Sequence, residues 1–140
     1  MIKPFEEYIK EGEVEKQLPD KNEAQALMAK AERRLAYVKE RPVQEQNADL
    51  IFEDTYDVMR EASQALMSAT GYKPLTHEVV VAYLRDKERL DQSIVEKFDS
   101  YRKLRNRSQY SAQKINALKA QEAIAFATEL FALLKARLKP

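Results

Sequence analysis

Residues 47–71 read NADLIFEDTYDVMREASQALMSATG, and two apolar stripes run along them at helical spacing. Ile51, Thr55, Val58, Ala62, Ala65 and Ala69 make one; Phe52, Met59 and Leu66 make the other. A helix with two apolar faces is buried on two sides, so this segment is central in a helical bundle or packed in a dimer. Asn47 or Asp49 starts it. Gly71 supplies the left-handed residue that closes a helix, and Pro74 prevents its resumption.

Upstream, Asp20 can cap a second helix, with Glu23 three residues later in the capping-box position. That helix runs to about Glu40 with Leu27, Ala31, Leu35 and Val38 on one face, and Arg41-Pro42 stops it. Residues 1–19 are polar and without clear periodicity, and read as an N-terminal arm, docked or frayed.

Downstream, Thr76 caps a short helix carrying Val79, Val80, Val81, Tyr83 and Leu84. Three consecutive valines suit a strand, but the sequence offers no second strand to pair with them, so helix is expected. A charged segment from Arg85 to Asp91 leads into a helix over Ile94–Arg105. Ser108 to Gln113 reads as helix or a brief break. A last helix over about 114–138 carries Ile115, Leu118, Phe126, Leu130, Leu133 and Leu134. The expected architecture is a single all-α domain over 20–140, an antiparallel bundle of four long helices plus one short helix.

Composition agrees. Two Gly and five Pro in 140 residues, against many Ala, Leu, Glu, Lys and Gln, favour helix nearly throughout. Cysteine is absent, which removes disulfides, thiolate zinc sites and a Cys nucleophile, and suits a cytoplasmic protein. The single histidine, His77, excludes a site needing two His ligands from one chain. No apolar run approaches the roughly 20 residues of a membrane span. The first residues turn acidic at once and carry no signal-peptide pattern.

Charge is unevenly placed. The chain carries +1 overall, with −4 in residues 1–60 and +5 in residues 61–140. Within 97–107, Lys97, Arg102, Lys103, Arg105 and Arg107 face one acid, Asp99. A local basic patch on a near-neutral chain suits a confined anion site better than a general nucleic-acid coat. Ile94, Phe98, Tyr101 and Arg105 share one helical face. A guanidinium in line with a core stripe is costly unless it is paired or opens onto a groove, so Arg105 reads as an ion-pair residue or an anion ligand. Tyr101 reads as core. Tyr72 and Tyr110 are aromatics that could stack on bases. His77, in the first turn of the short helix, reads first as a neutral structural histidine. Glu53 and Asp57 share a face at i,i+4 beside Asp49 and Asp54. The bland reading is a solvated face or partners for Arg102 and Arg105; the sharper one is a divalent-cation or acid–base pair. No metal site and no cofactor are expected.

Three stretches together resemble the HEPN family of small helical bundles: Tyr56 to Leu66, Gly71 to Glu78, and Arg105-Asn106-Arg107-Ser108-Gln109-Tyr110. The last stands at the position of the family's Arg-x4–6-His motif. The resemblance implies a homodimer whose motif residues line a shared cleft. It also implies RNA or nucleotide as ligand and, in toxin–antitoxin pairs, a small nucleotidyltransferase as partner. Arg105 matches the motif Arg and Asn106 the polar residue after it. Tyr110 stands where the His is expected, and a phenol with a reference pKa of about 10 is a poor general base. The implied function is therefore binding without nuclease activity, through Arg102, Arg105, Arg107 and Tyr110. The alternative is a metal-independent endoribonuclease using Arg105, Asn106 and Tyr110, with His77 as a substitute proton carrier if the fold brings it near Arg105.

Overall fold

The computed structural model of the chain describes residues 1–110 and 114–138, with the backbone alone for Gln109 and Tyr110. Along the chain run α1 (Phe5–Lys10), β1 (Val14–Lys16), α2 (Lys21–Lys39), α3 (Ala48–Thr70), β2 (Tyr72–Pro74), α4 (His77–Asp86), α5 (Gln92–Tyr110) and α6 (Ala117–Arg137). The protein is mostly helical, with one small two-stranded sheet. Helix α3 is central: it packs against α2, α4, α5 and α6. Both of its apolar stripes are used. Ile51, Val58, Ala62 and Ala65 are buried on one, Phe52, Met59 and Leu66 on the other. Its remaining face, with Asp54, Asp57, Arg60 and Gln64, is only half-buried and forms an outward polar strip.

Local signals start α2 and α4 as expected, whereas α5 outruns the expected Ile94–Arg105 helix at both ends and α6 starts at Ala117, later than about 114. The Asp20 carboxylate accepts from the Glu23 amide at 2.9 Å. The Thr76 hydroxyl accepts from the Val79 amide at 3.4 Å, so the three valines are helical and buried. Asn116 caps α6, accepting from the Lys119 amide at 2.8 Å. Leu118 departs from its expected place: it is 64% exposed, while Ala120, Ala123 and Ala127 supply the inward face of α6 at that end. Small alanines let α6 lie close to its neighbours, and a reading that ranks positions by side-chain size passes over them.

Residues 1–19 are built into the fold. Phe5 and Tyr8 are fully buried, Phe5 packing edge-on against Tyr72 and Tyr83. The Phe5 amide donates to Asp86 at 2.8 Å, and the Tyr8 hydroxyl to Glu78 at 2.8 Å. Arg85 donates to the carbonyls of Ile2 and Lys3. Strand β1 pairs antiparallel with β2, Val14 opposite Pro74 and Lys16 opposite Tyr72. The strand pair is not legible in the sequence: the two segments are three residues each and far apart along the chain, and only the closed fold brings them together.

Gly71 joins α3 to this sheet at φ 92°, and a Cβ placed there would lie 2.6 Å from the Gln17 carbonyl oxygen. That carbonyl belongs to the backbone whose amide donates to the Gly71 oxygen at 2.9 Å, so neither side can give way cheaply. Gly71→Ala should cost about 2 kcal/mol or more, from left-handed strain plus the displaced contact. Urea unfolding reads this directly, and a shift within about 0.5 kcal/mol would contradict it.

Candidate functional site

The site is built on Tyr56. Its ring lies beneath the surface of α3, held edge-on by Phe98 of α5 with centroids 6.0 Å apart. The Arg105 guanidinium reaches back from α5 over the ring, 5.4 Å from its centroid. His77, the first residue of α4, approaches the hydroxyl end of the same ring. Its Nδ1 is 3.5 Å from the Tyr56 oxygen, and the two rings are 5.8 Å apart. Three helices thus bring an arginine, a histidine and a phenol to one point, although Tyr56, His77 and Arg105 are far apart in sequence. Arg105 and His77 can be separated by no more than the two distances to the ring combined.

Two further cations surround this point, each with a carboxylate of its own helix. Arg60 donates to Asp57 at 3.2 Å. Arg102, largely buried, donates from Nε to Asp99 at 2.7 Å, and Lys103 adds to the same carboxylate at 3.4 Å. Arg105 differs. Its Nε is buried and has no hydrogen-bond partner among the described residues. A buried donor left unmade costs about 1–3 kcal/mol, and such an atom in a native fold calls for an explanation in terms of a ligand or stored strain.

The electrostatics follow from this crowding. Burial, then the Arg60 and Arg105 charges, push His77 below the ordinary imidazole value, with Asp57 opposing and Arg102 adding to the depression. Burial pushes the Tyr56 hydroxyl up to about 12, even though Arg105, Arg102 and Arg60 favour its anion. Near neutrality the site therefore holds a neutral imidazole and a neutral phenol among three guanidinium groups. The field there is positive, and a charged His77 is disfavoured until an anion enters.

The depressed His77 makes a stability prediction with a definite sign. Between its folded and unfolded pKa values the unfolded chain binds the extra proton, so stability is full above about 6.5 and falls as pH drops through the folded value. His77→Gln should flatten that part of the acid side of the stability curve. Urea titrations of both proteins between pH 7.5 and 5 check it; parallel curves would count against a depressed His77.

The structure sorts the other expected residues. Arg105 is in the site, and His77, expected first to be structural, packs on the same Tyr56 ring. Asn106 and Arg107 are exposed on α5 beyond it. The Tyr110 side chain lies outside the described residues. Arg102, one of the implied binding residues, is a largely buried residue paired with Asp99 at the edge of the site. Asp57 pairs with Arg60 and Asp54 with Arg34, and neither forms an ion pair with Arg102 or Arg105. Among the described residues no group of three or more metal-ligating side chains comes together. Tyr101 is core, and Tyr72 is committed to the Phe5–Tyr83 cluster. Arg60 and Tyr56 are site residues that the structure adds to those expected from the sequence. The signal available was their i,i+4 spacing on α3, which places both on the flank that meets α4 and α5. Among the described residues, no helix is long and apolar enough to cross a membrane. Compared with protein-family models, with curated proteins and with solved structures, the chain finds no match in any of the three.

Proposed function

We propose that this protein is a HEPN-like helical bundle that binds a phosphate-bearing ligand, nucleotide or RNA, at the Tyr56–His77–Arg105 junction. The observation that carries this reading is the buried Nε of Arg105, without a hydrogen-bond partner among the described residues, beside two further guanidinium groups. A planar guanidinium offers phosphate a fixed pair of donors, and Arg60 and Arg102 at the rim add attraction without needing direct contact. The Tyr56 ring holds the guanidinium from below by a cation–π contact, which fixes its direction. The resemblance extends the proposal to a homodimer and, as a further partner, a nucleotidyltransferase. The half-buried polar strip of α3 is the surface such a partner or second copy would meet. Titration of the protein with adenine nucleotides and with a short single-stranded RNA tests the reading. Binding that weakens with added salt is expected, and no binding of either overturns it.

One observation favours a second reading, an endoribonuclease. The sequence lacks the motif histidine, but His77 and Arg105 both pack on the Tyr56 ring, which supports a neutral imidazole serving the same site as the arginine. In that chemistry the imidazole would take the 2′-hydroxyl proton while Arg105 stabilises the charged phosphorane. RNA incubated with the protein in excess chelator should then be cleaved, and cleavage should vanish in both Arg105→Ala and His77→Gln. Intact RNA leaves binding as the function.

A further inference from the structure

The charge balance of the junction carries a statement about which phosphate it takes, and that statement rests on the binding reading above. Of the three guanidinium groups, two are already matched: Arg60 by Asp57 and Arg102 by Asp99. Arg105 alone of the three has no carboxylate partner among the described residues, so its charge is the one directly open to an anion. His77 supplies a second only when protonated. The groups that bear on it are Tyr56, Asp57 and Arg60 from α3 and Arg102 and Arg105 from α5. On its own helix, the adjacent Glu78 is engaged by Tyr8.

An internal phosphodiester carries one negative charge at any pH near neutrality. A terminal phosphomonoester carries nearly two, its second proton leaving near pH 6. A monoanion is met by Arg105 and leaves His77 neutral. A dianion offsets the surrounding guanidinium field, and His77 can then gain a proton and donate a second charge-assisted hydrogen bond. We propose that the site is selective for a terminal phosphomonoester, such as the phosphate end of a nucleotide or of an RNA strand, and that His77 is the specificity-determining residue. The Tyr56 hydroxyl supports this from one side: it stays protonated, so it adds no negative charge beside the ligand, and it can donate to Nδ1 of the neutral imidazole. Placing His77 as the first residue of α4 contributes too, since the helix N-terminus disfavours its charge until an anion is present.

The test uses one RNA sequence in two forms, with a 5′-phosphate and with a 5′-hydroxyl, titrated against the intact protein at pH 7. The phosphorylated form should bind about tenfold more tightly, the worth of one added charge-assisted contact. In His77→Gln, which keeps a donor but cannot charge, that preference should fall to about twofold or less. Calorimetry of the phosphorylated RNA in two buffers of different ionisation enthalpy should show proton uptake by the unmodified protein and less by the variant. Equal binding of the two forms overturns the selectivity while leaving the phosphate site standing. A preference that survives in His77→Gln overturns the role of His77. Failure of both forms and of free nucleotides to bind removes the underlying reading as well. Circular dichroism of the variant separates a lost fold from a lost charge.

Discussion

Arg105→Ala should lower affinity for a phosphate-bearing ligand by about 10- to 100-fold, the loss expected when a charge-assisted donor pair is removed from a partly buried site. The expectation follows from where its neighbours spend their charge. Arg60 and Arg102 are each held by a carboxylate of their own helix, so they cannot take over without breaking those pairs. Stability should move the other way or hardly at all. The variant removes a buried donor that has no partner among the described residues, which offsets the lost packing over Tyr56. Arg105→Lys is the sharper control: it keeps the charge but loses the planar fork, and should recover only part of the affinity. Binding titrations of the three proteins at a fixed salt concentration measure this. An Arg105→Ala protein that binds as well as its parent would move the ligand elsewhere.

The second large effect concerns the other side of α3. Glu61 is a carboxylate almost wholly inside the protein, with a side chain 4% exposed. Arg34 of α2 grips it with two donors, Nε at 2.9 Å and Nη2 at 3.1 Å, and Lys30 lies 3.6 Å away. Arg34 also touches Asp54 at 3.3 Å, and its own charge is favoured by Glu61 first and then by Asp57 and Asp54. Arg34→Ala leaves the buried carboxylate with Lys30 alone. Breaking such a pair costs about 3–5 kcal/mol when both partners are deep; with Arg34 a quarter exposed and Lys30 still present, about 2–3 kcal/mol is expected. Replacing both partners by apolar residues of similar volume, Arg34→Met with Glu61→Leu, should recover most of that loss, because no charge is then stranded. Denaturant midpoints of the single and double variants form the cycle that separates the two contributions. A single variant as stable as the parent would show that Lys30 and water already satisfy Glu61.

These two predictions touch opposite flanks of one helix, and they mark how far the sequence carries. The central place of α3, its two buried stripes and its glycine end are legible in residues 47–71, because helical periodicity and capping are local properties. The caps at Asp20 and Thr76 and the core place of Tyr101 are legible for the same reason. Arg105 stands out as an anomaly within a single helix, since a cation on an apolar stripe breaks a local rule. The partner that gives Arg105 its setting is not legible. Tyr56 looks like one more core aromatic, and His77 like a structural residue at a helix start.

The missed features share one cause. The β1–β2 pair, the burial of Phe5 and Tyr8 and the grouping of Tyr56, His77 and Arg105 each join residues far apart in the chain, and no local pattern encodes such distances. The sequence by itself determined the helices, their ends, the inward face of α3 and the oddity of Arg105, since these depend on neighbours within one or two turns. Only the tertiary structure decided that the lone histidine and that arginine pack on one tyrosine ring. It also decided that Arg60 and Arg102 are paired while Arg105 has no ion-pair partner among the described residues. Those facts depend on how α3, α4 and α5 pack, which is set by the whole core and by no single segment of it.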